Sequence, residues 1–223
     1  MEENKYLVFD SETGNTMRNE HGQLDVHAGQ VYDLGGEVIG GISGRVYDKF
    51  SLVNEDVFYR MPYVMQEAYF KDKIPQYIEE IKKKERQVVN TYQMRNIFYK
   101  ACKEYNVKAV VAHNIWFDIK VLNATLRYQT KSKRRFFIPY DMPILDTMKM
   151  ASETIAKTDE YISFCKENNY MTKHSNPRPQ LTAEVLYRFL SGDNNFCEAH
   201  TGLADVEIEK EIFLECVRRN ALI

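Results

Sequence analysis

The 223-residue chain is predicted to be an α/β domain: a mixed sheet of about five strands flanked by helices. Two observations carry this. Short apolar runs suited to strands alternate with stretches whose apolar residues recur at helical spacing. Their order, with one hairpin early and helices between the later strands, gives a mixed sheet covered by helices.

Tyr6-Leu7-Val8-Phe9 opens the series as a buried strand that ends at an acidic pair, Asp10 and Glu12. Residues 14–29 are polar and glycine-containing, a loop. Gln30 to Ile39 and Ser43 to Val53 read as two strands joined through Gly40-Gly41, a hairpin signal. From about Lys71 to Tyr105 the chain reads as helix in two pieces. Pro75 suits a first turn, Ile74, Tyr77, Ile78 and Ile81 form a stripe, and Met94, Ile97, Phe98, Ala101 and Cys102 form another. Ala109-Val110-Val111-Ala112 is a fully buried strand, followed by an amphipathic helix from about Trp116 to Tyr128. A short strand around Ile144-Leu145 precedes Asp146, placed to cap the next helix. Residues 158–180, with Pro177 and Pro179, predict an irregular excursion with some helix. Helices near Leu181 to Leu190 and from about Leu203 to Arg219 close the chain.

Length and composition predict one domain spanning 1–223, with 44% hydrophobic and 28% charged residues. The longest apolar runs fall well short of the roughly 20 residues that a membrane helix needs. The acidic, polar N-terminus lacks the layout of a secretory signal, so the expected location is the cytoplasm. Four dispersed cysteines, with no Cys-x-x-Cys pair, read as reduced structural thiols rather than zinc ligands. A net charge of −2 excludes the basic footprint of a protein that wraps duplex nucleic acid, so any nucleic acid contact is local.

Three short motifs stand out from this background: Phe-Asp-Ser-Glu-Thr with Asp10 and Glu12, His-Asn-Ile-Trp-Phe-Asp with Asp118, and His-Thr-Gly-Leu-Ala-Asp with His200 and Asp205. Asp10 and Glu12 are two apart on a strand and share a face. They end a core strand, where an unpaired carboxylate is costly and a cation removes the cost. Asp118 falls in a first helical turn and equally suits a simple dipole-compensating acid. Asn114 fits a cap for that helix, and Trp116 and Phe117 fit core positions better than base-stacking ones. His200 and Asp205, five apart, diverge by about 500° on one helix. If the helix starts after Gly202, Asp205 occupies its first turn and His200 a loop. His21, His27 and His174 read as solvated, Asp146 as structural, and Lys131 to Arg135 as a solvated charge run. Together the motifs describe a site able to hold two divalent cations, which points to phosphodiester hydrolysis.

In this order the motifs resemble the DEDDh exonucleases of the ribonuclease H-like superfamily, a family that includes the proofreading subunit of bacterial polymerase III, ribonuclease T and oligoribonuclease. The resemblance runs from Phe9 to about Cys216. It implies a ribonuclease H-like fold, with Asp10, Glu12, Asp118 and Asp205 as ligands of two Mg²⁺ or Mn²⁺ ions and His200 as the general base. It further implies that Thr13 and Asn114 bind substrate. Leu145-Asp146-Thr147 resembles a family segment whose acid is not a ligand. The implied reaction is 3′-to-5′ removal of nucleoside 5′-monophosphates from single-stranded DNA or frayed 3′ ends. A 3′ exoribonuclease is the alternative within the same chemistry. Implied partners are single-stranded DNA or RNA 3′ ends, and a DNA polymerase. A nucleic-acid- or polymerase-binding module without hydrolysis is the rival from another class. The chain departs from the family at Glu12-Thr13-Gly14-Asn15, where Glu-Thr-Thr-Gly is common, and in the length of 158–180.

Overall fold

The computed structural model describes residues 3–14, 20–22, 25 and 28–219. Its strands are β1 Lys5–Gly14, β2 Gln30–Gly40, β3 Val46–Asn54, β4 Gln87–Val89, β5 Ala109–Ala112 and β6 Ile144–Asp146. Its helices are α1 Glu55–Phe58, α2 Pro62–Gln66, α3 Ile74–Lys82, α4 Thr91–Glu104, α5 Ile115–Thr130, α6 Thr147–Glu153, α7 Asp159–Glu167, α8 Ala183–Ser191 and α9 Gly202–Arg218. The strands form one sheet in the order β4-β3-β2-β1-β5-β6. β1, β2 and β3 pair antiparallel, while β5 joins β1, β6 joins β5 and β4 joins β3 in parallel.

The sheet thus has six strands where about five are expected. The sixth, β4, interrupts the stretch expected to be helical between Lys71 and Tyr105. Three residues are too short a run to show a period of two. The break is nevertheless marked in sequence, because Asn90 caps α4 by accepting from the Gln93 N–H while the Gln93 side chain returns to the Asn90 N–H. The 158–180 excursion carries α7 and then an extended return in which Met171 bridges Pro179. Among the described residues no helix is long and apolar enough to cross a membrane.

β1 sits at the centre of the sheet and is pinned from both faces. Leu7 and Phe9 point towards α4 and α5, where Phe9 meets Phe98 edge-to-face with centroids 5.3 Å apart. Tyr6 and Val8 point the other way, towards α9, where Tyr6 lies 5.1 Å from Phe213. Each such buried side chain contributes roughly 1.5–3 kcal/mol. A one-residue slip of β1 would exchange the two faces, so the register of everything beyond Phe9 is fixed by this packing.

Candidate active site

The alternation of β1 continues past Phe9. Asp10 and Glu12 follow Tyr6 and Val8 onto the α9 face, while Ser11 turns to the α5 side and its Oγ donates to Asp118 Oδ1 at 2.6 Å. Asp118 reaches this point because β5 ends at Ala112 and Asn114, in the left-handed region at φ 59°, turns the chain directly into α5. Asn114 does not cap that helix with its side chain, contrary to expectation. Its backbone N–H instead donates to Asp146 Oδ1 at 3.1 Å. Asp146 also accepts from the N–H groups of Met148 and Lys149, so it caps α6 and anchors the β5–α5 turn together.

α9 begins at Gly202, which puts Asp205 in its first turn and leaves His200 on the preceding segment at φ 53°. This segment is clamped from beneath. The Gly202 N–H donates to Asp33 Oδ2 at 2.9 Å, and Asp33 is itself sealed from solvent, accepting from Arg86 Nη1 and Tyr77 Oη at 2.7 Å each. Gly35 and Gly202 pack backbone to backbone, so a Cβ at Gly35 would collide with the Gly202 and Leu203 main chain. The His200 ring stacks on Phe70 with centroids 4.0 Å apart and planes 11° from parallel. Its Nδ1 lies 3.8 Å from Glu198 Oε2.

The elements enclose a cleft of about 590 Å³ at the carboxyl ends of β1 and β5, the place where open α/β sheets hold ligands. All five predicted catalytic positions, Asp10, Glu12, Asp118, His200 and Asp205, line it, as does Asn114. Glu12, His200 and Asp205 form the tightest group, each offering one atom within 4.8 Å of the others. Asp10 and Asp118 border that group without belonging to it. Thr13 lies past a register shift that follows Glu12 and does not line the cleft. Trp116, expected in the core, is 57% exposed, whereas Phe117 lines the cleft wall. His21 and His174 are exposed, and His27 lies outside the described residues.

Deprived of water, these acids hold their protons beyond the ordinary carboxylate range. Burial pushes Asp118 up to about 7, against the opposing Ser11 hydrogen bond, and pushes Asp205 up to about 7 with help from Glu198. Burial and then the charge of Asp205 push Glu12 up to about 9. Asp10 goes well above its usual value through burial and then the charge of Glu209. Burial lowers His200 from its ordinary value, with Lys73 acting the same way and Glu184 opposing, so the imidazole is neutral at pH 7.

Sequence reasoning missed several members. Glu209, 4% exposed, forms the cleft floor with its Oε2 unpartnered among the described residues, and it is raised well above its usual value by burial and then by Asp118. Its signal is readable: it stands one turn after Asp205 on the same face of α9. Ser11, Glu198 and Phe70 carry no comparable signal. His113 also lines the cleft, with both ring nitrogens engaged, Nε2 2.6 Å from the Leu181 carbonyl and Nδ1 2.9 Å from Thr147 Oγ1.

The donor set fits a divalent cation. Among the described residues Asp205 Oδ1 and Glu209 Oε2 are buried without partners, and hard oxygens dominate, as Mg²⁺ or Mn²⁺ prefer.

No family model matches the chain, and no curated protein does. Solved structures match. The nuclease domain of 3′hExo, a DEDDh family member, bound to rAMP, is 14% identical with TM-score 0.58, over 98% of this chain and 94% of that one. A structure described as 3′-end specific recognition of histone mRNA stem-loop by 3′-exonuclease is 12% identical with TM-score 0.60, over 98% and 84%. E. coli exonuclease I in complex with a dT13 oligonucleotide is 14% identical with TM-score 0.53, and this chain spans 42% of its length. At such identities the likeness establishes the fold: the ribonuclease H-like one anticipated from the motifs.

Proposed function

We propose that the protein is a metal-dependent 3′-to-5′ exonuclease acting on single-stranded nucleic acid ends. The observation that carries this reading is the convergence of Asp10, Glu12, Asp118, His200 and Asp205, drawn from three distant segments, on one cleft. Asp10, Glu12, Asp118 and Asp205 would hold two divalent cations, which when bound supply Lewis-acid stabilisation of the charge on the scissile phosphate. His200, neutral at pH 7 and stacked on Phe70, takes the proton of the attacking water at Nε2. The water oxygen bonds to phosphorus, the bond to the 3′ oxygen of the preceding nucleotide breaks, and that oxygen takes a proton from solvent to leave as a hydroxyl, while His200 returns its proton to solvent. The products are a nucleoside 5′-monophosphate and a strand one nucleotide shorter. Phe117 and Asn114 on the cleft wall position the terminal nucleotide.

RNA as substrate is the second reading. It is favoured by the solved structures that match over 94% and 84% of their own length, whose descriptions name rAMP and an mRNA stem-loop. Digestion of matched 5′-labelled DNA and RNA strands in Mg²⁺, Mn²⁺ or EDTA, with Asp205→Asn and His200→Asn proteins, tests both. A ladder that shortens from the 3′ end and requires metal and both residues is expected, and the relative rates choose the sugar. Intact strands under every condition overturn the reading in favour of a binding module.

A further inference from the structure

We propose a second phosphate-binding platform, formed by α4, the distal half of α5 and residues 131–140, that holds single-stranded nucleic acid several nucleotides upstream of the 3′ end in the cleft. Its identification of the strand as substrate rests on the proposed exonuclease function; its chemistry does not.

Four of the five residues 131–135 are basic in a chain whose formal net charge is −2. Arg95 and Arg127 join them on the same surface. Among the described residues none of Arg95, Arg127, Lys131, Lys133, Arg134 and Arg135 pairs with a carboxylate. A charge run is ordinarily a solvated face of mobile side chains. Here three guanidiniums are fixed instead, by groups that leave their charge intact. Arg95 Nε donates to the Phe136 carbonyl at 3.0 Å and its Nη2 to Tyr99 Oη at 2.6 Å. Arg127 Nε donates to the Arg135 carbonyl at 3.0 Å, and Arg135 Nη1 to Tyr92 Oη at 2.8 Å. Each also lies over an aromatic ring: Arg95 on Tyr99, Arg127 on Phe136 and Arg135 on Tyr92, at 4.1, 5.1 and 5.4 Å from the centroids.

The same surface offers aromatic faces. Phe136 is 54% and Tyr140 87% exposed beside a cavity of about 380 Å³ that Arg95, Arg134 and Arg135 line. Pre-oriented cations interleaved with exposed rings are what a sequence-tolerant single-strand site requires: charge for phosphates and π-faces for bases. A compact anion would use the cations but leave the rings exposed.

α5 connects this surface to the cleft. At 100° per residue, Trp116, Lys120, Asn123 and Arg127 lie within about 60° of one another, opposite the buried Asp118. Trp116 and Lys120 are exposed, and Asn123 accepts from the Phe137 N–H at 2.7 Å, fastening the 131–140 segment to this face. From Asn114 to Arg127 the helix advances about 20 Å at 1.5 Å per residue, a length of roughly six stacked nucleotides at 3.4 Å each. Strands much shorter than that do not reach the platform.

The test uses the full chain and a Lys133→Glu/Arg134→Glu variant, both positions being exposed. Binding of a 5′-fluorescent single strand of about 16 nucleotides is followed by anisotropy in EDTA across a salt series. The expected result is at least tenfold weaker binding and a shallower salt dependence, by about 1.4 in log–log slope for two phosphates lost at about 0.7 each. Hydrolysis of a strand of about 4 nucleotides in Mg²⁺ should be unchanged. Arg135→Ala, which removes a fixed guanidinium without reversing charge, should weaken the long strand in the same direction. Equal affinity and slope for variant and wild type would overturn the platform, as would displacement of the strand by polyglutamate at equal charge concentration. If no strand is hydrolysed under any metal while the binding difference persists, the exonuclease reading falls and the platform stands.

Discussion

Replacing Arg86 by methionine tests the clamp beneath the His200–Asp205 segment. The Arg86 side chain is 5% and that of Asp33 0% exposed, and their contact is 2.7 Å. Methionine fills much of the volume but leaves Asp33 with two neutral donors, Tyr77 Oη and the Gly202 N–H, in a place that water does not reach. Stranding one member of a buried ion pair costs about 3–5 kcal/mol. In a protein of this size each kcal/mol moves Tm by about 2–4 °C, so Arg86→Met should lower Tm by roughly 6–20 °C. Asp33→Asn should be milder, about 1–3 kcal/mol. Arg86 then keeps Glu80 at 2.5 Å and the Tyr77 face at 4.2 Å, and the asparagine oxygen still accepts from Gly202. Because the two residues meet, the double variant should lose less than the sum of the singles, by about 0.5–3 kcal/mol. Calorimetry or urea unfolding of the four proteins in EDTA measures all of this. A Tm loss under about 2 °C for Arg86→Met, or strict additivity, would refute the account of a sealed ion pair holding α9 in place.

Three further outcomes are expected. In EDTA, the cleft acids stay protonated in the folded protein while their unfolded counterparts ionise near their ordinary values. The folded state therefore binds more protons and stability falls as pH rises, through about 7 for Asp118 and Asp205 and towards about 9 for Glu12. Tm should drop between about pH 5 and 9, excess Mn²⁺ should flatten the drop, and Glu209→Gln should recover part of it at the alkaline end; a rising Tm in EDTA would contradict the electrostatics. His200→Asn should lower the hydrolysis rate by about 10²–10⁴-fold. It should also abolish the acid limb of the pH–rate profile, which in the wild type lies below the ordinary histidine value because burial disfavours imidazolium; an unchanged limb would assign the proton transfer elsewhere. Gly35→Ala should destabilise the fold and slow hydrolysis together, since the new methyl must push the Gly202–Leu203 backbone away from β2. An alanine variant with wild-type Tm and rate would show that this close approach is not required.

The parts legible in sequence are those whose signal is local. Tyr6 to Phe9 announces a buried strand by itself, and Asp10 and Glu12 inherit their shared face from its period. Gly202 announces the start of α9 and so separates His200 from Asp205. What escaped depends on residues far apart in the chain: Asp33 meets Arg86 across 53 positions and Gly202 across 169, and nothing near any of them marks the meeting. β4 escaped because its three residues take their strand character from pairing with Leu52 to Asn54. Trp116 was readable and misassigned. Two residues from Asp118 is about 200° around α5, so a buried Asp118 places Trp116 in solvent.

One detail of the sheet changes how knock-outs at this site should be interpreted. β1 is paired with β2 along its whole length to Gly14, but with β5 only from Tyr6 to Val8. Beyond Val8 the strand has, among the described residues, a paired strand on one flank alone, and on the other the Asp118 carboxylate stands in for the missing one, accepting from the Ser11 hydroxyl and favoured by the Ser11 N–H. Asp118 is therefore a stitch in the seam between β1 and α5 as well as a cleft acid. Alanine there unpicks the seam and removes the charge at once, whereas asparagine keeps an acceptor for Ser11 and removes only the charge. The difference in melting temperature between the two variants isolates the stitch.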